Sequence, residues 1–417
     1  MINIAMVVYS HYPTDPRVRR EAEALVEAGM AVDVISLVRR SGEETKTRVN
    51  GVNVYRIQLK RKRAGKIRYF LQYGYFIVAA CLKLSWLHLS RRYDIVHVHN
   101  MPDILVSTAL FPKMTGSKII LDLHDPMPEL YMTIYSMGAS HPLVKVLLAL
   151  EKLSIAFADR VITPNTAFRD LFVSRSCPPW KLHIVMNSPQ ETIFHKREIK
   201  AKNSEDSDRR DKFDLMYHGL IVERHGLDDA IEAASLIKDQ IPNLIFHIYG
   251  EGEFLEDLKE KVKRLAVSDW VEFYGFVPLE RIAAAISDID LGIVPNKMSP
   301  FTNINFPTRI FEYLSVEKPV VIPRTKGVCD YFSEDSIYFF NPGDVNSLAR
   351  TILKVYEDPQ GCLKMVQRGI SIYHQHRWEL QKDHLVNLVL DLLGILQTPA
   401  GSTHGNNIQE FHKIPGP

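Results

Sequence analysis

The sequence predicts an α/β protein made of two open, doubly wound parallel-sheet domains that face each other across a cleft. Three observations carry this. Short apolar runs alternate with helical periodicity from the first residues onward. The chain has 417 residues, beyond the length at which a single hydrophobic core stops growing. Near its middle the series is interrupted by HKREIKAKNSEDSDRRDK, residues 195–212, a polar and charged stretch that reads as a flexible connector.

The elements follow in order. INIAMVVYS is strand-like, with neither a charged leader nor a small-residue cleavage site, so a cytoplasmic protein is expected. In DPRVRREAEALVEAG, Asp15 is the N-cap, Pro16 opens the helix and Gly29 stops it. Val18, Ala22 and Leu25 recur at helical spacing and face the sheet. AVDVISL, YDIVHVHN, KIILDLHD, ADRVITPN and KLHIVMN continue the strands and complete a first domain, 1–190. After the connector, 191–212, the runs FDLMYHG, LIFHIYG, WVEFYG, DLGIVP and PVVIP build a second domain, 213–375. A helix over 376–397 closes the ordered part, and the Gly- and Pro-rich tail, 398–417, is expected to be disordered.

One segment has two readings. YFLQYGYFIVAACLKLSWLHL, residues 69–89, lies between KRKRAGKIR and a pair of arginines. It is marginal in length for a membrane span. The favoured expectation is a helix packed on the sheet. The alternative is a basic, aromatic helix in peripheral contact with an anionic membrane, on its inner face.

Hydrophobic residues at 46% and charged residues at 24% describe an ordinary globular chain. A formal charge of +2 argues against nucleic acid as a partner. Cys81, Cys177, Cys329 and Cys362 are scattered without CxxC spacing, which argues for a reducing compartment and against a zinc ribbon.

Three segments are placed to carry chemistry, because open α/β sheets bind ligands at the carboxyl ends of their strands. In FPTRIFEYL, Pro307 is expected at a helix start, where free N–H groups favour an anion. Thr308 and Arg309 lie beside it, and Glu312, one turn on, can accept hydrogen bonds from a vicinal diol. Phosphate next to ribose describes a nucleotide; an ordinary exposed Arg–Glu pair is the alternative. In YHGLIVERHGL, Arg224, His225 and Gly226 precede a second helix start, and the alternative there is a solvated loop. In LDLHDP, a neutral His124 beside Asp125 would orient a substrate hydroxyl, although a lone strand-end histidine is often structural.

Other motifs are weaker. His97 and His99 in HVH share one face of a strand and could hold a metal, but no third ligand is evident. Asp288 and Asp290 read as a helix end and a strand start. Gly250 and Gly252 are not followed by the rest of a dinucleotide fingerprint, which sets a dehydrogenase aside.

Taken together, YPTDPRVRREAEALVEAG, DIVHVHNMPDILVSTALFPKMTGSKIILDLHDPMPELY, YHGLIVERHGLDDAIEA, VEFYGFVPLERIAAAISDIDLGIVP and FPTRIFEYLSVEKPVV resemble glycosyltransferase family four, the retaining enzymes of GT-B fold. The resemblance covers residues 1 to about 395. It implies two Rossmann-like domains, a nucleoside-diphosphate-sugar donor bound mainly by the second, and a last helix that crosses back to the first. By resemblance Glu312 binds the ribose, and Pro307, Thr308 and Arg309 face the diphosphate together with Arg224, His225 and Gly226. Phe276 and Val277 meet the base, and His124 meets the transferred sugar. His99, Asn100 and Asp125 fall on the side of a saccharide or lipid-linked saccharide acceptor. No cofactor and no metal are expected.

Three positions depart from the family pattern. Ile304 stands where a first acidic residue usually contacts the donor sugar, Leu220 and His225 replace an Arg and a Lys of the phosphate loop, and SHYPTDP has no glycine pair. No nucleophile and general-acid pair is evident. The expected chemistry is therefore front-face sugar transfer, with leaving-group charge stabilised by Arg309 and Arg224. An epimerase of the same fold and a non-catalytic nucleotide-sugar-binding subunit remain open alternatives.

Overall fold

The computed structural model describes residues 1–40, 42–59, 66–195 and 212–395. Most of the expected connector and all of the expected tail lie outside them. The first sheet has eight strands: β1 (Asn3–Val7), β2 (Ala31–Leu37), β3 (Lys46–Val49), β4 (Val52–Ile57), β5 (Ile95–His99), β6 (Lys118–Asp122), β7 (Arg160–Thr163) and β8 (Leu182–Ile184). Their order is β3-β4-β2-β1-β5-β6-β7-β8, parallel except where β3 meets β4. The second sheet is parallel throughout, with β9 (Phe213–His218), β10 (Leu244–Tyr249), β11 (Val271–Gly275), β12 (Leu291–Ile293), β13 (Val320–Pro323) and β14 (Tyr338–Phe340) ordered β11-β10-β9-β12-β13-β14. This is the GT-B architecture.

Both sheets are covered on both faces, which is why their strands read as apolar runs. Val18, Ala22 and Leu25 of the helix Pro16–Glu27 are fully buried against Ile4 and Met6 of β1. The opposite face of the sheet receives Phe76, Ala80 and Leu84 from the helix Lys66–Arg91. Among the described residues no helix is long and apolar enough to cross a membrane. The helix Trp378–Leu392 follows the second domain but buries Leu385, Leu388 and Val389 in the core of the first. There Gln381 Oε1 accepts from Met186 N at 2.8 Å.

Three strands were not expected. Edge strand β3 (KTRV) is polar and alternately exposed, so no apolar run marks it. VNVYRI of β4 carries Asn53 and Arg56 among its apolar residues, and β14 has three residues, too few to show a period. Pro307 is a correction. The helix begins at Arg309, with Thr308 as N-cap, and Pro307 O accepts from Ile310 N at 3.1 Å. Pro307 is therefore buried one position before the cap. The helix Arg309–Ser315 has only seven residues, which limits what its dipole can contribute at Thr308.

Both chain reversals create a crevice at the carboxyl ends of the strands, between β1 and β5 in the first sheet and between β9 and β12 in the second. The segment after β12 holds the two lobes together. Phe301 N donates to Thr133 Oγ1 at 3.2 Å, and the Phe301 ring lies 6.0 Å from that of Phe168.

Candidate active site

A pocket of about 170 Å³ lies between the lobes, with Arg17, Arg20, His124 and Asn187 on one wall and Leu279, Thr308 and Glu312 on the other. On the first wall, Asp122 at the end of β6 is fully buried and accepts from four nitrogens. Arg17 donates from Nε and Nη2 to its two oxygens at 2.7 and 2.9 Å. His99 and His124 each donate from Nδ1 to Oδ2, at 2.9 and 3.3 Å. This leaves Nε2 of His124 for the pocket.

Burial alone would lower the His124 pKa. The Asp122 charge and hydrogen bond outweigh it and lift the imidazole to about 9. Sequence reasoning expected a neutral His124; beside a buried carboxylate it is an imidazolium at neutral pH. Asp122, despite burial, is held well below the usual carboxylate range by Arg17 and His124. Asp125 is raised by burial, which exceeds the opposing pull of His124 and Arg224.

His99 and Asn100 were expected on the acceptor side. His99 is 0% exposed and Asn100 2%, so both act from behind the surface. Asn100 braces the loop: its Oδ1 accepts from His124 N at 3.2 Å, and its Nδ2 donates to Asp125 O at 2.7 Å. The expectation that HVH lacks further ligands also changes. Ligand atoms of Glu21, His97, His99 and Asp122 all lie within 4.8 Å of one another. Arg17, however, binds Asp122 through two bonds and sits 3.2 Å from Glu21, so a fixed cation already occupies this acidic set.

On the second wall, Glu312 Oε2 accepts from His218 Nε2 at 2.5 Å, and His218 Nδ1 lies 3.0 Å from Tyr313 Oη. Arg309 donates from Nη1 to His218 O at 3.0 Å, with its guanidinium 4.7 Å over the Tyr217 ring. Burial lowers the Arg224 pKa against the pull of Asp125 and Glu253, and its Nε has no hydrogen-bond partner. His225 is different. Burial, then Arg309, lowers its pKa to about 3, and its Nδ1 donates to Leu220 O at 2.7 Å. It shapes the loop and adds no charge. Gly226 is required there because it has φ +66°, and a Cβ would approach Pro295 O to 2.0 Å. Phe276 is 67% exposed beyond β11, whereas Val277 packs into the second lobe's core.

Sequence reasoning missed Arg17, Arg20 and His218. Arg20 is buried on the ring of Trp378, 5.4 Å away, and donates to Asn187 Oδ1 at 3.1 Å. Burial, then Arg17, brings its pKa to about 10. The available signal was two arginines in the first turns of a helix that begins at a strand-end loop. Ile304, at the departed acidic position, packs against the first lobe's core.

A family profile described as "Glycosyl transferase 4-like domain" matches residues 14–188, and one described as "Glycosyl transferases group 1" matches 196–371. The amylovoran biosynthesis glycosyltransferase AmsK of Erwinia amylovora is 26% identical over 196 residues, 46% of each chain. The 2-deoxystreptamine glucosyltransferase of Streptomyces kanamyceticus is 25% identical over 152 residues, 36% of this chain and 38% of its own. The matched part thus spans less than half the length of these relatives. Among solved structures, sucrose-phosphate synthase of Thermosynechococcus elongatus superposes with a TM-score of 0.78 at 17% identity, covering 94% of this chain and 100% of that one. HepE of Anabaena, in complex with UDP-glucose, gives 0.71 at 14%, covering 95% and 100%. With both lobes matched by successive profiles and the fold shared end to end, the chain belongs to the group 1 glycosyltransferases.

Proposed function

We propose that this protein is a metal-independent, retaining glycosyltransferase that moves a sugar from a nucleoside-diphosphate sugar to an acceptor hydroxyl in polysaccharide or glycoconjugate synthesis. The observation that carries the reading is the pocket lined by Glu312 on one lobe and His124 on the other. His218 holds one Glu312 oxygen and leaves the other for a ribose hydroxyl. Arg309 and Arg224 supply the charge that a diphosphate leaving group needs, and Phe276 offers an exposed ring to the base. The His124 imidazolium donates from Nε2 to the transferred sugar. The UDP-glucose seen in HepE makes a UDP-sugar the first donor to test.

The test is a thermal-shift panel of UDP-, GDP- and ADP-sugars, followed by transfer assays. Selective stabilisation by one donor is expected. Glu312→Ala should weaken donor binding by about 10- to 100-fold, and Arg309→Ala should cut turnover about a hundredfold. No stabilisation by any nucleotide sugar, or full activity in both variants, overturns the proposal. A second reading, a subunit that binds donor without transferring it, is favoured by the neutral His225 and the turned-away Ile304. Donor binding without turnover on any acceptor would support it.

A further inference from the structure

The helix Lys66–Arg91 is apolar on both faces. Phe76, Ala80, Leu84 and Leu87 are 0–3% exposed against the sheet. Leu71, Tyr75, Val78, Leu82, Trp86 and Leu89 form an outward stripe at three- and four-residue spacing, each 56–69% exposed. At the rise of an α-helix this stripe is about 27 Å long. A helix without a polar face belongs in protein or lipid, and a contiguous apolar surface of this kind marks an interaction site. Charge chooses between partners. Residues 60–93 include nine Lys and Arg and no Asp or Glu, which complements anionic lipid. Lys83 lies 4.9 Å from the Trp86 ring, an aromatic and a cation paired as at a membrane interface.

An apolar pocket of about 210 Å³ opens beside the same helix, between Tyr73 and Ile77 on one side and Ile104, Met127, Tyr131 and Leu150 on the other. Asp103 is the charged residue in its wall, and it leads to the candidate active site. Asn100 Nδ2 donates to Asp103 Oδ1 at 2.9 Å, and Asn100 Oδ1 accepts from His124 N. The pocket thus connects the outward stripe to the loop that carries His124.

We propose that this pocket is a hydrocarbon subsite for a lipid-linked acceptor, drawn from an anionic bilayer on which the stripe Leu71–Leu89 rests. The inference deepens the transferase reading by naming the acceptor class, and it rests on that reading only for the word acceptor. Gly74 supplies the decisive variant. It lines the pocket, it is helical, and a Cβ there meets no atom within 4 Å, so the backbone accepts a side chain at this position, and Gly74→Trp is expected to crowd the mouth while removing a weak helix former.

The full chain is tested with vesicles of mixed phosphatidylcholine and phosphatidylglycerol, vesicles of phosphatidylcholine alone, and farnesyl phosphate as a soluble chain probe. Wild type is expected to float with the anionic vesicles only, and Leu82→Glu with Trp86→Glu to stay behind. Farnesyl phosphate should bind wild type, and Gly74→Trp should lose at least about tenfold in affinity while keeping the donor thermal shift. No flotation, or equal farnesyl phosphate binding in Gly74→Trp, overturns the inference. So does a dimer in sedimentation that Leu82→Glu with Trp86→Glu dissolves, because the stripe would then be covered by a second copy. Donor stabilisation is read separately, so the transferase reading can stand or fall alone.

Discussion

His124 owes its charge to one neighbour. Its pKa lies above the ordinary histidine value because Asp122 favours the protonated form. That interaction stabilises the fold fully below the unfolded value of about 6.5 and is lost as pH rises through about 9. Asp122→Asn should therefore bring the His124 pKa down to the ordinary histidine value of about 6.5 or below it, because burial is then left with little opposition. The high-pH limb of the transfer rate should move to lower pH by a similar amount. An NMR titration of the His124 ring checks this; an unmoved pKa would show that Asp122 is not the cause. His124 could be named from sequence because a polar residue at a strand end is visible in one dimension. Arg17 and Arg20 could not. On a helix that also presents Val18 and Ala22, they look like a solvent face until Asp122 and Trp378 arrive from distant segments.

Elements around the site are fixed by ion pairs as well as by apolar contact. Arg175, at the end of the helix Thr166–Arg175, donates to Glu129 at 2.6 and 3.0 Å and to Glu151 at 2.9 and 2.5 Å. It ties the helices Met127–Tyr135 and Pro142–Phe157 to its own. Glu151 is 1% exposed, so Arg175→Ala leaves a buried carboxylate without its partner and should cost about 3–5 kcal/mol in urea unfolding. Adding Glu151→Gln should restore part of the loss. Backbone packing is equally strict where the loop after β10 crosses the loop after β9. Gly250 has φ +143°, and a Cβ there would reach within 1.8 Å of Gly219 O. Gly250→Ala should therefore lower the melting temperature and abolish the donor shift, as the Glu223–His225 turn loses its support. In the sequence Gly250 is notable only for lacking the rest of a dinucleotide fingerprint. Its use as a spacer between loops appears only when the loops meet.

The two lobes share their ends. Leu385 is 0% exposed and belongs to the first lobe's core although it follows the second lobe in the chain. Leu385→Ala should cost about 2–5 kcal/mol, and hydrogen exchange should rise in β1 and β2 more than in β10 and β11. A uniform rise would mean that the lobes unfold as one unit. Ile304 also makes sense only at this scale, because the segment that carries it leaves the second lobe to pack on the first. Alternating apolar runs, an Asp–Pro helix start and two strand-end loops were enough to determine the fold class with its two α/β lobes, and to single out His124 and Glu312, which the structure brings to one pocket. Those features are local, and local sequence records them through periodicity and capping. Tertiary structure alone decided which charges are paired, that His124 is a cation while His225 is neutral, and that Ile304 packs on the opposite lobe. Burial and electrostatic coupling depend on groups that the fold brings together: Asp122 stands two residues from His124, but the Arg17 that helps hold it ionised arrives from 105 residues away, and no spacing along the chain encodes that meeting.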